Sequence, residues 1–238
     1  MDTYKGIISL KQEMGQLDDR DCLAPRHVKE LSNRERKRAQ WALAYLTKKR
    51  DGTIKRRTVF NGKPTRAWMN KEDSMSPTAS TESLFLLAII DAYEWREVMV
   101  NNVPNTFIQA PNVIKDGGDR VIMKITGVLV DILLEKNLVR YKDYVVYENS
   151  RKVIYVELMR ALYGMINASL LWYKKFCGDL EGIGFMFNNY DPCVANKLVN
   201  RKPLTIRFHV DDIMSSHEEE SVNDDFFEVA QRYVRATR

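Results

Sequence analysis

What this sequence lacks narrows it first. It has three cysteines, Cys22, Cys177 and Cys193, at spacings that fit neither a disulfide framework nor a zinc ligand set, so buried thiols in a reducing compartment are expected. Long apolar runs are missing as well: "LFLLAII" at 84–90 stops at Asp91, well short of the roughly 20 residues that cross a bilayer. The opening "MDTYKGIISLKQE" does not have a signal peptide's layout, and nothing directs the chain to a membrane or to export. There is no internal repeat and no low-complexity tract.

What is present is enough for a core. The chain has 238 residues, 45% of them apolar, which suits one large domain or two small ones. The net charge of +5 is modest, but it is unevenly spread. Between Arg34 and Arg66 twelve Lys and Arg stand against Glu35 and Asp51, a net of +10 that leaves −5 for the remainder. Such asymmetry favours a polyanionic partner, nucleic acid or nucleotide phosphate; the alternative is a solvated basic face.

Along the chain, residues 1–30 show weak periodicity and read as a lead-in. Ser32-x-x-Glu35 is a capping-box signature, and a helix is predicted from there to about Lys49. "RDGT" at 50–53 predicts a turn, and "IKRRTVF" a strand. The polar stretch 61–81 reads as loop, its Ser/Thr cluster capping a helix whose Leu84, Leu87, Ala88 and Tyr93 fit burial against a sheet. Then come strand "EVMV", strand "VIMKI", helix "GVLVDILLEK" and a hairpin turning near Asn149-Ser150. A helix over "ASLLWYKKFCGDLEGIG" follows, with Trp172, Phe176, Leu180 and Ile183 as its apolar stripe and Gly184 at its end. The fold class is α+β, helices packed on an antiparallel sheet.

The most informative piece is "KPLTIRFHVDDIMSSH". Leu204, Ile206, Phe208 and Val210 alternate with Thr205, Arg207, His209 and Asp211, the pattern of a half-buried strand, and Asp211 and Asp212 are expected in the tight turn of a hairpin. Two adjacent carboxylates repel unless water solvates both or a divalent cation lies between them. Asp is an ordinary turn residue, so a plain turn remains one reading. A magnesium site is the other, and nucleotidyl transfer at such a site wants a third carboxylate from another strand.

Four blocks in order, "NVPNTFIQA" (102–110), "ALYGMINASLLWYKKF" (161–176), "YDPCVANK" (190–197) and "FHVDDIM" (208–214), resemble the reverse transcriptase of copia-type retrotransposons. "KRRTVFNGKPTR" at 55–66 and the loop and helix at 72–95 resemble the same family's fingers, so the likeness covers about residues 48–216. It implies a right-hand polymerase: a lead-in at 1–30, a fingers-like basic region at 31–80, a palm with further fingers elements at 81–217, and the start of a thumb at 218–238. It also implies a piece of a longer Pol polyprotein, with integrase and ribonuclease H regions elsewhere. An intracellular, cytoplasmic setting in a virus-like particle goes with it.

By the same resemblance Asp211 and Asp212 are the palm aspartates, with His209 where tyrosine is commoner, and they hold two Mg2+ ions, or Mn2+, with the Val103 carbonyl as a further ligand. Phe107 is the aromatic gate against a 2′-hydroxyl, while Lys55 and Arg57 meet the triphosphate of the incoming deoxynucleotide. The rest of the basic window, Lys48, Lys49, Arg50, Arg56, Lys63 and Arg66, contacts an RNA template and a DNA primer. Two departures stand out. Asn102 replaces the first catalytic aspartate, keeping one oxygen and losing the charge, and Asn167 replaces a glutamine that helps seat template and nucleotide. The expectation is a polymerase impaired at one ligand, with a catalytically silent nucleic-acid-binding remnant as the alternative. A mononuclear metal site from His209, Asp211 and His217 is a third reading, but their spacing matches no zinc pattern.

Overall fold

The computed structural model describes residues 3–112 and 119–235, without the side chains of residues 3, 4, 55 and 231–235. Its elements run α1 (Thr3–Asp19), β1 (Leu23–Arg26), α2 (Asn33–Arg38), β2 (Gln40–Lys48), β3 (Ile54–Phe60), α3 (Thr81–Tyr93), β4 (Glu97–Asn102), α4 (Thr106–Gln109), β5 (Ile122–Thr126) and α5 (Val128–Lys136). They continue with α6 (Leu138–Tyr141), β6 (Val146–Glu148), β7 (Arg151–Leu158), α7 (Ala168–Gly182), β8 (Met186–Phe187), β9 (Val194–Val199), β10 (Lys202–His209), β11 (Asp212–His217) and α8 (Glu220–Arg235). The architecture is mixed α+β with two sheets. Contacts divide it into two units, Met1–Ser74 with Ala110–Ala168, and Met75–Gln109 with Ser169–Arg238. Among the described residues no helix is long and apolar enough to cross a membrane.

The first unit is built on a sheet ordered β1-β7-β5-β2-β3, with β6 pairing β7. It is not wholly antiparallel, since β2 runs parallel to β5 through Gln40↔Met123 and Trp41↔Lys124. β7 is its central apolar strand, buried from Val153 to Leu158. Helix α5 packs on β5 and β7, and its buried Leu129, Val130, Ile132 and Leu133 explain why that segment is apolar nearly all round. Residues 3–19, weakly periodic in sequence, form α1, which buries Leu10, Met14 and Leu17 and packs on β3 and α5.

The predicted helix from Ser32 to Lys49 is corrected. Its start is right: the Ser32 hydroxyl accepts from Glu35 N at 3.1 Å, and Glu35 Oε2 accepts from Ser32 N at 2.8 Å. The helix ends at Arg38, however, and Gln40–Lys48 is a strand paired with β3 around the Lys49–Thr53 turn, where Gly52 takes φ +83°. Trp41, Leu43 and Tyr45 alternate in this segment, which suits a pleated strand. Glu35 is buried and paired with Arg120 (Nε–Oε1 2.6 Å). This hydrogen bond chiefly, against the opposing effect of burial, lowers its carboxyl from 4.5 to about 2.

A close backbone approach locks the loop after β3 to the segment after β7. Phe60 N donates to Tyr163 O at 2.8 Å, and Gly164 has φ +89°. A Cβ on Gly164 would lie 2.0 Å from Phe60 O, and one on Gly62 would lie 2.0 Å from Gly164 O. Only glycine fits at either place.

In the second unit the sheet order is β4-β11-β10-β9-β8, leaving β4 as an edge. Helix α7 buries Trp172, Phe176 and Leu180 as its pattern predicts, and α8 packs on β4 and β11 with Val222 and Phe226 buried. Helix α3 is capped by Ser80 as expected, but its burial is narrower than predicted. Leu87 and Asp91 are buried, whereas Ala88 is exposed, Tyr93 is 84% exposed, and Phe85, Leu86 and Ile89 form an open apolar face. The cysteines are free, and burial pushes the thiols of Cys22 and Cys193 up to about 12 and that of Cys177 to about 11.

Two outcomes follow. Gly164→Ala combines a forbidden φ with a backbone clash and should cost about 3 kcal/mol or more, read as a lower urea midpoint. Glu35 has a depressed folded-state pKa, so its contribution is present above 4.5 and is lost as pH falls from about 4.5 toward about 2. Glu35→Gln should therefore lower stability by roughly 2–3 kcal/mol at neutral pH, with the difference from wild type shrinking through that acid window in urea titrations.

Candidate active site

Phe208, Ile206 and Leu204 are buried along β10, which fixes the face of the strand and brings its end to the surface at His209. His209 pairs with Asp212, so the hairpin turn consists of Val210 and Asp211. The predicted placement shifts by one residue: Val210 is in the turn rather than on the buried strand face, and Asp212 opens β11. Val210 has φ +55°, a conformation that is costly for a β-branched residue. Two hydrogen bonds hold the turn open in that shape. The buried Trp172 indole donates to Val210 O at 2.7 Å, and Val103 N donates to Asp211 O at 2.8 Å. Trp172 is itself stacked on Phe176, ring centroids 5.3 Å apart, and Phe176 meets Phe208 edge-on at 4.9 Å.

Strand β4 lies antiparallel beside β11 with Asn102 opposite Asp212. The register puts the Asn102 amide between the two carboxylates: Nδ2 donates to Asp211 Oδ2 at 3.3 Å and to Asp212 Oδ1 at 3.2 Å. Both bonds are long, and Asn102 and Asp212 are exposed, so each is weak; together they supply positive ends to two like charges. Beyond Asn102, buried Val103 has its carbonyl capped by the Thr106 hydroxyl at 2.6 Å, and Phe107 lies half-buried in α4.

Among the described residues no group of three or more His, Cys, Asp or Glu is disposed to hold a metal. The reason at this cluster is chemical: the third member is an amide. The donors that remain, two carboxylates converging on one amide, are hard oxygens of the kind magnesium takes. They fit a carboxylate pair for such an ion, with Asn102 able to offer a neutral oxygen if its amide turns. His217 is not part of the cluster. It closes the far end of β11, buried, with Nδ1 accepting from Glu219 N at 3.0 Å and Nε2 at 3.3 Å from Val199 O.

The remaining predicted residues belong to the first unit. Lys48, Lys49 and Arg50 are exposed at the tip of the β2–β3 hairpin, and Lys63 and Arg66 are exposed in the turn after β3. Arg56 is tied to α1, donating to Gln12 Oε1 at 2.7 Å, with Glu13 at 3.8 Å. Arg57 lies over the Tyr163 ring, 4.2 Å from its centroid. Lys55 pairs with Thr47 in the ladder, its side chain lying outside the described residues. Asn167 has a buried Oδ1 with no hydrogen-bond partner.

Three contributors escaped sequence reading. Trp172 matters for its N–H as well as its bulk, and Thr106 caps the Val103 carbonyl. Asp191 is buried and organises a turn, accepting from Cys193 N and from Ser80 N, each at 2.9 Å. Burial alone would raise its carboxyl, but these amides and the serine hydroxyls hold it below the ordinary value. The only sequence signal was its place in the turn-like "YDPC".

No family model matches the chain, and no curated protein matches it. Among solved structures it is similar to the foamy viral protease-reverse transcriptase dRH in complex with double-stranded DNA. That likeness has 12% identity and a TM-score of 0.41, over 96% of this chain and 29% of that one. The chain therefore spans less than a third of that protein's length.

Asn102→Asp replaces the bridging amide with a third negative charge. Without divalent ions the variant should melt below wild type, by about 1 kcal/mol for exposed charges, and added Mg2+ should raise its melting temperature more than it raises the wild type's. Equal magnesium responses in thermal melts would mean that the cluster does not gather cations.

Proposed function

We propose that this chain is the polymerase portion of a copia-type retrotransposon reverse transcriptase, an RNA-directed DNA polymerase, impaired because its first catalytic carboxylate is Asn102. One observation carries the reading: Asn102, on a neighbouring strand, projects its amide onto both Asp211 and Asp212. That is where two-metal nucleotidyl transfer requires a third acid. The four sequence blocks described above add their order and spacing.

In this reading the second unit is palm and the β2–β3 hairpin belongs to the fingers. Asp211 and Asp212, with the Val103 carbonyl, would hold magnesium, or manganese, which when bound would activate the primer hydroxyl and stabilise the leaving pyrophosphate. Phe107, in α4 four residues after Val103, would press on the sugar of an incoming deoxynucleotide and exclude a 2′-hydroxyl. Arg57, steadied on Tyr163, and Lys55 would meet its triphosphate. Asn167 would help to seat template and nucleotide. The exposed Lys48, Lys49, Arg50, Lys63 and Arg66 would draw RNA template and DNA primer by their phosphates, and Arg56 would add to that field while tied to α1. Integrase and ribonuclease H regions would lie elsewhere in the Pol polyprotein, with the cytoplasm and its virus-like particles as the setting.

A second reading, a silent nucleic-acid-binding remnant, is favoured by the same amide, which hydrogen-bonds to Asp211 and Asp212 but adds no third negative charge. Single-nucleotide primer extension on an RNA template separates the two. Asn102→Asp should extend faster than wild type by roughly three orders of magnitude, the several kcal/mol of a metal ligand's transition-state contribution. Silence in both forms, with hybrid binding retained, would leave the remnant.

A further inference from the structure

The second unit contains a recess of about 300 Å³ between α8 and strands β9 and β10 that the proposed chemistry does not use. The strands contribute Val199 and Leu204, the turn after α7 contributes Phe185, and α8 contributes Val222, Phe226 and Val229 at helical spacing. Phe185 and Phe226 meet edge-on at 5.7 Å, and with Leu204 and Val222 they are buried, so the floor is carbon. Two charges stand in these walls, Lys197 and Asp225, and among the described residues neither is ion-paired. Lys197 is half-buried and held in place. Its stem crosses Gly184, where a Cβ would lie 3.8 Å from Cε, and Nζ stands 5.9 Å from the Phe185 ring centroid. The other half-buried lysine of this unit, Lys175, has a carboxylate of its own in Asp179.

An apolar recess with one positioned cation in its wall has the make-up of a small-molecule site, and the cation selects an acid that carries an apolar body. Asp225, exposed on α8, narrows the choice. It disfavours a second negative charge, so a singly charged carboxylate suits the recess better than a phosphate monoester. We propose that this recess binds an aliphatic monocarboxylic acid, its chain on Leu204, Val222 and Phe226 and its carboxylate accepting from the Lys197 ammonium. The inference is independent of the polymerase reading and involves neither nucleic acid nor metal.

The test is isothermal titration of the whole chain with octanoate, hexanoate, octyl phosphate and octan-1-ol. Octanoate should bind saturably and more tightly than hexanoate, by roughly ten- to twentyfold for two methylenes. It should exceed octan-1-ol by roughly three- to tenfold, the share of a partly exposed charged hydrogen bond, and octyl phosphate should bind more weakly than octanoate. Lys197→Met should erase the preference for octanoate over the alcohol while the alcohol still binds, and Lys197→Arg should keep that preference. Val229→Trp fills the recess and should abolish binding of both. No saturable octanoate binding, no dependence on chain length, tighter binding of octyl phosphate, or an octanoate affinity unchanged in Lys197→Met would overturn the proposal. Binding that survives Val229→Trp would also overturn it and assign the acid to the open apolar face of α3. Lys197→Met has no ion pair to lose, so it stays readable should Val229→Trp not fold. None of these outcomes bears on the Asn102→Asp extension assay.

Discussion

The alignment of β4 against β11, with Asn102 opposite Asp212, is the constraint on which the candidate site depends. Side chains alternate along a strand, so a slip of one residue would turn Asn102 to the opposite face and dissolve the cluster. Several packing interactions hold that alignment. Leu204, Ile206 and Phe208 fix the facing of β10, the β10–β11 hairpin transmits it, and α8 packs on β4 and β11. At the hairpin tip the strained Val210 is held by the Trp172 indole. The polar cluster is thus positioned by an apolar core, the Trp172 indole N–H and the Val103 N–H.

Charge is distributed less freely than the composition implies. The +10 window from Arg34 to Arg66 looks like an open basic surface, yet much of it is engaged internally. Arg34 and Arg38 share Asp119, Arg56 reaches α1, and Arg57 lies on Tyr163. The cations that remain most open to a phosphate backbone are Lys37 on α2, those at the β2–β3 hairpin tip and those in the turn after β3. Surface pairs of this kind contribute little stability, but they orient guanidinium groups that would otherwise sweep a wide volume.

Much of the fold was legible where local chemistry is decisive. The capping box at Ser32, the Asn149-Ser150 turn, the α7 stripe and the alternation in β10 all correspond to observed elements, because caps, positive-φ turns and periodicity act over a few residues. The helix predicted to Lys49 failed for the complementary reason. Gln40–Lys48 becomes a strand because β3 and β5 are there to pair with it, and that depends on residues more than eighty positions away. The alternation of Trp41, Leu43 and Tyr45 was the available clue. At the site, the adjacency of Asp211 and Asp212 was visible and the importance of Asn102 was read from its block, but the amide's contact with both carboxylates needed the register. The burial of Asp191 and the orphaned Asn167 oxygen are consequences of packing that no local pattern encodes.

The open apolar face of α3 has a consequence at the bench. Phe85, Leu86, Ile89 and Tyr93 are exposed on α3, and Trp95, Val98 and Val100 are exposed just beyond it and along edge strand β4. Greasy side chains beside an unpaired strand edge make a surface that adheres to itself as concentration rises. Purified alone, the chain will be colloidally fragile, its losses growing with protein concentration and easing with mild detergent. A preparation that precipitates would then reflect this surface rather than a failure to fold.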